Sequence, residues 1–137
     1  MTKKLFISLP VSNVAASVAF YEAIGMTRDP AFPSGENGAA MNWSDSVCFM
    51  LSSHAAFGAL TSKPIADTHA TVANLFALSM DSREAVDAVF KAALAAGGRE
   101  VHGVEDEGFM YSVGFEDPDG YGFGPFHMDM EAVPAEA

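Results

Sequence analysis

Cysteine is nearly absent from the sequence, and long apolar runs are missing altogether. The single cysteine, Cys48, excludes an internal disulfide and a thiolate-rich metal site. Because Cys48 lies within an apolar run, we interpret it as a small buried hydrophobe rather than a nucleophile. No apolar run approaches the roughly 18 residues that a membrane span needs, and the start of the chain lacks the apolar stretch of a signal peptide. We therefore expect a cytoplasmic protein with no membrane partner.

Basic residues are also scarce, and the imbalance of charge lies mostly in the second half of the chain. The 137 residues contain 18 acidic and 7 basic side chains, which gives a net charge of −11. Residues 71–137 hold thirteen of the acids and three of the bases. Such a surface repels phosphate, which argues against a nucleic-acid partner, and it attracts cationic small molecules. The acids would also simply keep a chain with 50% hydrophobic residues soluble.

Two segments of the sequence repeat the same order of elements. Leu5–Pro10 is predicted to be a strand, and Ser12 or Asn13 then caps a helix that ends at Gly25. Leu75–Met80 is predicted to be a second such strand, followed by a capping box that starts at Asp81 and a helix that ends at Gly97-Gly98. With an offset of 70 the segments correspond without a gap, which indicates an internal duplication.

Each copy continues into three further strands, so the sequence predicts an α+β fold of two βαβββ modules in tandem. A four-stranded sheet with its helix on one face leaves the other face concave, and we expect two curved mixed sheets around a cleft. The modules are expected at about 4–53 and 75–128, with a partly helical connector at 54–74 and an acidic tail at 129–137. The predicted further strands are Thr27–Phe32, Ala39–Trp43 and Val47–Ser53 in the first copy, and Arg99–His102, Phe109–Phe115 and Tyr121–Met128 in the second.

The final predicted hairpin, Gly108–Met128, is the stretch in which we expect the function to lie. Its turn, Glu116–Gly120, has the sequence EDPDG, in which proline and glycine supply the required backbone angles. The strand after the turn is interrupted by Gly122, Gly124 and Pro125. Glycine within a strand marks a bulge, or a close approach by a ligand or another backbone.

These motifs together resemble those of the vicinal oxygen chelate superfamily, which includes glyoxalases, bleomycin-resistance proteins and extradiol dioxygenases. The resemblance covers nearly the whole chain and is carried by LPVSNVAASVAFYEAIGM, LSMDSREAVDAVFKAALAAGG and GFMYSVGFEDPDGYGF. It implies the tandem fold and a homodimer. It does not specify any one activity.

The resemblance also implies four metal-binding positions on the strands that face the cleft, usually occupied by His or Glu. In this sequence they fall on Phe6, Met50, Leu75 (or Phe76 if the register shifts by one) and Gly124. None of these residue types ligates a divalent metal in the usual way, so we expect no metal cofactor. The histidines are His54, His69, His102 and His127, and no pair of them has a ligand-like spacing on a predicted element.

Strand alternation predicts what would line the cleft instead. The lining would be apolar and rich in sulfur, with a gap at the glycines, and one of two neighbours, Met110 or Tyr111, must share the inward face. The same side chains would also suit a closed core. The glycines favour a pocket, since they would otherwise leave a void. The predicted ligand-binding residues are Phe6, Ser8, Trp43, Met50, Ser52, Leu75, Met110, Tyr111, Gly124 and Phe126.

Two hypotheses follow, and no catalytic residue is assigned. The first is a metal-independent protein that binds a small aromatic or cationic ligand. The alternative is a lyase, isomerase or dioxygenase with a displaced divalent metal or a carboxylate base. The candidate base is a carboxylate of the run Glu105–Glu107, with Tyr111 assisting as a hydrogen-bond donor. That run is more typical of a solvated turn. A module that acts only through dimerisation is a third possibility.

Overall fold

The structure is a computed structural model that describes residues 3–132. These residues form eight strands, three α-helices and one short 3₁₀ helix. The chain divides between Asp67 and Thr68 into two compact units. Within residues 3–132, no helix is long and apolar enough to cross a membrane. The first unit contains β1 (Leu5–Val11), α1 (Val14–Ala23), β2 (Thr27–Arg28), β3 (Gly38–Asn42), β4 (Val47–Ser53) and α2 (His54–Gly58). The second contains β5 (Leu75–Ser79), α3 (Arg83–Ala95), β6 (Arg99–Asp106), β7 (Met110–Glu116), β8 (Gly122–Met128) and the 3₁₀ helix (Met130–Ala132).

The two units have the same sheet topology. The strand order is β1-β4-β3-β2 in the first sheet and β5-β8-β7-β6 in the second. In each sheet the first and last strands of the unit pair in parallel, and the other pairs are antiparallel. The predicted α+β class and the two tandem modules are therefore confirmed.

In the first unit, α1 covers one face of its sheet. Asn13 caps the helix by accepting a hydrogen bond from the backbone N–H of Ala16 at 3.0 Å, and Gly25, at φ +106°, continues the chain beyond it. Tyr21 of α1 stacks on Phe49 of β4 with 6.3 Å between ring centroids. Both rings are buried, so this side of the sheet is the core.

In the second unit, α3 covers the sheet in the same way. Ser82 Oγ accepts the N–H of Ala85 at 3.0 Å and is the cap of the helix. The prediction that the capping box begins at Asp81 was therefore wrong by one residue. Beneath the helix, Phe123 stacks on Phe115, with 5.5 Å between ring centroids.

The two caps also correct the alignment of the copies. Asn13 and Ser82 are equivalent, so the true offset is 69 rather than 70. The buried residues agree with this, since Leu9 and Leu78 are both buried before their helices. The predicted offset aligned residues of the same type. Equivalent strand residues must instead lie on the same face of their sheets, and a shift of one residue reverses the face.

Three elements differ from the prediction by more than one residue at an end, and the other strand ends lie within one residue of it. β2 ends at Arg28 because the Asp29 carboxylate accepts the N–H of Ala31 at 2.9 Å and turns the chain. β6 extends four residues beyond its predicted end, to Asp106, with two irregularities in its register. The helix in the connector is limited to His54–Gly58.

Candidate functional site

Each sheet has a second face, opposite its helix, which we call the open face. In the first unit, Phe49 packs against α1, so its neighbours Cys48 and Met50 lie on the open face. The register pairs Phe6 with Cys48 and Ser8 with Met50. The first and second positions predicted from the resemblance therefore lie on one open face, and both carry apolar side chains.

The open face of the first unit is occupied by large side chains. Phe6 contacts Phe32 edge to face, with 5.9 Å between centroids, and Lys4 Nζ lies 5.2 Å from the Phe6 centroid. Met50 is half-buried between Ser8 and the buried Ala40. No glycine gap interrupts β4 here, since it reads VCFMLSS.

Of the remaining predicted residues of the first unit, Ser52 lies on this face by alternation from Met50, and Trp43 lies outside the strands of the sheet. Ser52 pairs with Pro10 and Gly38. Trp43 lies just beyond β3 and its N–H donates to the Val47 carbonyl at 3.0 Å. Burial raises the pKa of the Cys48 thiol, which agrees with its interpretation as an inert hydrophobe.

In the second unit, the open face carries four of the five predicted residues. Leu75 pairs with Gly122, and Gly124 follows two residues later on the same face. Phe126 and Met110 lie further along this face by the same alternation. The alternative position Phe76 lies on the helix side, with its ring 5.1 Å from that of Phe123, a helix-side residue.

Tyr111 lies on the helix side of the sheet rather than on the open face. Its hydroxyl donates to Asp87 Oδ1 at 2.7 Å, and the Arg83 guanidinium lies 5.1 Å from its ring centroid. The hydrogen bond to Asp87 raises the pKa of Tyr111. Of the two neighbours between which the sequence could not decide, Met110 is the one that shares the open face.

Small residues create a depression in the open face of the second sheet, which we call the glycine trough. Its volume is about 230 Å³. A Cβ added at Gly124 would meet no atom closer than the Val113 carbonyl oxygen at 3.8 Å, so there is free space directly above this residue. The trough is lined by Leu75, Phe76, Ala77, Val101, His102, Gly114, Phe115, Gly122, Phe123 and Gly124.

His102 is the one polar side chain in this lining, and the sequence did not identify it as a site residue. It pairs with Gly114, and its ring lies over that glycine, since an added Cβ there would be 2.6 Å from the imidazole. Sequence reasoning placed His102 at a strand end because the continuation of β6 through Asp106 was not predicted. The pairing of a histidine with a glycine across two strands is the signal that could have found it.

The acidic run next to the trough is only partly available for chemistry. Asp106 accepts the Gly108 N–H at 2.9 Å and a hydrogen bond from Arg83 at 2.8 Å, and the first of these is the main cause of its lowered pKa. Glu105 is 60% exposed and lies 3.6 Å from His102 Nδ1. Asp106 thus joins β6 to α3, and Glu105 is the one carboxylate of the run that lies beside the lining.

The EDPDG turn is structural, as its sequence suggested. Asp117 Oδ1 accepts the N–H groups of Asp119 and Tyr121 at 2.9 and 2.8 Å. Gly120 has φ +92°, and an added Cβ would lie 2.3 Å from the Thr68 carbonyl oxygen. Burial raises the pKa of Tyr121. These contacts fix the start of β8, the strand that supplies Gly122 and Gly124.

The described residues do not fit the metal that the fold implies. Across residues 3–132 no three His, Cys, Asp or Glu side chains form a group that could hold a metal ion. His127 Nδ1 lies 3.0 Å from the Met80 carbonyl oxygen, and His54 and His69 are exposed in the connector.

Fold and sequence pattern together define the class of protein. The pattern of the Glyoxalase/Bleomycin resistance protein/Dioxygenase superfamily matches residues 5–124, and the chain belongs to this superfamily. Comparison with proteins of curated function gives no match.

Solved structures of similar fold come from several bacteria. A hypothetical protein from S. aureus is 19% identical, with a TM-score of 0.78 over 93% of this chain and 94% of that one. A glyoxalase/bleomycin resistance protein/dioxygenase family enzyme from Burkholderia phytofirmans is 19% identical, with a TM-score of 0.75 over 93% and 99%. A lactoylglutathione lyase from Agrobacterium tumefaciens is 16% identical, with a TM-score of 0.66 over 93% and 94%. At these identities the likeness concerns the fold alone.

Proposed function

We propose that the protein binds a small aromatic or cationic organic molecule in the glycine trough of the second unit, without a metal ion. The observation that carries the proposal is the free space above Gly124, on an open face where three glycines replace side chains. Glycine within a strand costs about 0.5–1 kcal/mol relative to alanine. A depression that is maintained at such a cost is typical of a binding site rather than of a core.

The size and lining of the trough favour a ligand with one ring. An apolar cavity of about 150 Å³ is enough to bind benzene, and the trough measures about 230 Å³. Leu75 Cδ2 lies over Gly122 and the His102 imidazole over Gly114, and Val101 also belongs to the lining. Aromatic and aliphatic walls with a single polar group are typical of small-molecule sites.

The charge of this unit adds a preference for cations. Residues 71–137 hold thirteen acids against three bases. Glu105 lies beside the lining. A positive charge on the ligand would therefore be favoured, more strongly at low ionic strength.

The absence of metal ligands at the four family positions supports a metal-independent site. Phe6, Met50, Leu75 and Gly124 offer carbon, one thioether or no side chain, and a thioether binds soft metals rather than the divalent ions of this superfamily. A homodimer, which the resemblance implies, is part of the proposal, and analytical ultracentrifugation of the purified protein tests it.

Filling the trough is the direct test of the proposal. We expect a panel of one-ring compounds, including benzylammonium, benzyl alcohol and phenol, to contain members that bind the wild-type protein in calorimetry and raise its melting temperature. Gly124→Met would place a side chain in the free space, and we expect it to weaken binding at least about tenfold. Circular dichroism would confirm that the variant is folded.

Ser79→Met is the matched control, because it adds the same side chain to an exposed position of β5 outside the lining. It should bind as the wild type does. Equal binding by Gly124→Met, or no binding by any compound of the panel, would contradict the proposal. Stoichiometric divalent metal in protein purified without chelators would instead favour the enzyme alternative.

A further inference from the structure

The backbone selects one neutral tautomer of His102, the polar group of the trough. His102 Nδ1 lies 2.8 Å from the Gly103 carbonyl oxygen. A carbonyl oxygen can only accept a hydrogen bond, so in the neutral imidazole the proton resides on Nδ1. Nε2 then carries a lone pair and is a hydrogen-bond acceptor.

The position of the ring places this acceptor at Gly114, which belongs to the trough lining, as His102 itself does. A methyl group placed on Gly114 would lie 2.6 Å from Cδ2 and 2.7 Å from Nε2 of His102. The Cδ2–Nε2 edge therefore lies over the glycine floor, and a larger residue at position 114 would displace it. No residue among 3–132 forms a hydrogen bond with Nε2.

The nearby carboxylate acts on the other nitrogen. Glu105 Oε1 lies 3.6 Å from Nδ1, and its side chain is 60% exposed. An exposed pair of this kind contributes little energy. It does support the same tautomer as the Gly103 carbonyl, because it too favours a proton on Nδ1, and it leaves Nε2 free.

We propose that His102 Nε2 is the specificity-determining acceptor of the trough, and that the ligand is a one-ring aromatic compound carrying a hydrogen-bond donor, of the phenol or benzylammonium class. This inference rests on the proposed function, because it names the substrate class of the same site. Apolar walls would hold the ring of the ligand, and Nε2 would accept its O–H or N–H. A neutral hydrogen bond contributes about 0.5–1.5 kcal/mol net, which corresponds to a preference of about two- to tenfold.

Phenol and anisole form the probe pair, since methylation removes the donor, keeps the ring and the oxygen, and adds one methyl group. We expect calorimetry to give two- to tenfold tighter binding of phenol by the wild-type protein. His102→Phe keeps a ring over Gly114 without an acceptor and should bind the two probes equally. His102→Gln, whose amide oxygen can take the place of Nε2, should retain part of the preference.

A spectroscopic measurement separates recognition from a purely structural role. In nitrogen-15 NMR of the wild-type protein, the Nε2 resonance of His102 should have the chemical shift of an unprotonated nitrogen. Phenol should move that resonance, whereas anisole should leave it nearly unchanged. Thermal unfolding of both His102 variants would show whether they remain folded.

The outcomes distinguish this inference from the proposed function. Equal binding of phenol and anisole by the wild-type protein, or a proton on Nε2, would overturn the role of His102 and leave the trough as a binding site. A phenol preference that persists unchanged in His102→Phe would do the same. If neither probe binds at any concentration tested and the rest of the panel also fails, the proposed function falls and this inference with it.

Discussion

The two units have the same strand order but differ in what their open faces carry. Met50 of β4 and Gly124 of β8 are equivalent, since Met50 pairs with Ser8 in the first sheet and Gly124 with Ala77 in the second. The first unit fills this position with a half-buried side chain, and the second leaves free space above it. One topology thus supports a packed face and a hollow one, and the choice is made by single residues rather than by the fold.

Two glycines with a left-handed backbone, Gly25 after α1 and Gly120 in the turn before β8, offer the strongest way to break this comparison. In the second unit, Gly120 has φ +92°, and a Cβ added to it would lie 2.3 Å from the Thr68 carbonyl oxygen. In the first unit, Gly25 has a similar φ of +106° but no atom within 4 Å of such a Cβ. We expect Gly25→Ala to cost about 1–2 kcal/mol, from the left-handed backbone alone.

Gly120→Ala should cost about twice as much or more, because displacing the Thr68 backbone adds an overpacking penalty of about 1–3 kcal/mol. Urea unfolding of both variants, followed by circular dichroism, measures the difference. Equal losses in the two variants would mean that the Thr68 contact does not fix the turn before β8.

Exchanging the equivalent residues sharpens the comparison of the open faces. Met50→Gly removes a half-buried side chain and adds glycine to a strand, and we expect a loss of about 2 kcal/mol in the free energy of unfolding. Gly124→Met should leave stability unchanged or raise it by up to about 1 kcal/mol, since it removes a strand glycine and fills free space. Chemical denaturation measures both.

Opposite signs for these two changes would indicate that Gly124 is retained at a cost in stability. A large destabilisation by Gly124→Met would contradict this, because it would mean that the space above the glycine is too small for a side chain. The ligand-binding measurements on the same variant then connect stability with function.

The sequence predicted the fold well because its signals are local. Helix caps, the glycines after the helices and the EDPDG turn each act within a few residues, and the repeated order of elements identifies the duplication. The resemblance to the superfamily implied the inward positions of Phe6, Met50 and Gly124, and strand alternation extended them to their neighbours.

The histidine of the trough could not be predicted in this way, because it depends on pairing between distant residues. His102 reaches the open face through its pairing with Gly114, in a strand whose register shifts twice. Such shifts interrupt the alternation of side chains along β6, so the face of His102 cannot be counted from the start of the strand. The face of Tyr111 could not be predicted either, since only its contacts with Asp87 and Arg83 place it beside α3.

The smallest expected effect compares two carboxylates, one in each unit. Asp29 and Asp106 each accept a backbone N–H at 2.9 Å, which is the main cause of their lowered pKa values. Basic partners add to this: Lys4 lies 3.4 Å from Asp29, whereas Arg83 forms two hydrogen bonds with Asp106 at 2.8 and 3.3 Å. A carboxyl with a lowered pKa in the folded state stabilises the fold above its unfolded pKa, near 3.8, and this contribution is lost as the pH falls through the folded value.

Replacing either aspartate by asparagine keeps the oxygen that accepts the backbone N–H. It removes the charge and puts an NH2 group in place of the oxygen that accepts from the basic partner. We therefore expect Asp106→Asn to be less stable than the wild type at about pH 6, and the difference to shrink at about pH 3 as the wild-type carboxyl takes up its proton. Asp29→Asn should behave in the same direction with a smaller difference, because Lys4 provides one longer contact where Arg83 provides two. Urea midpoints at the two pH values measure both, and a stability difference for Asp106→Asn that does not change with pH would assign its effect to packing instead of charge.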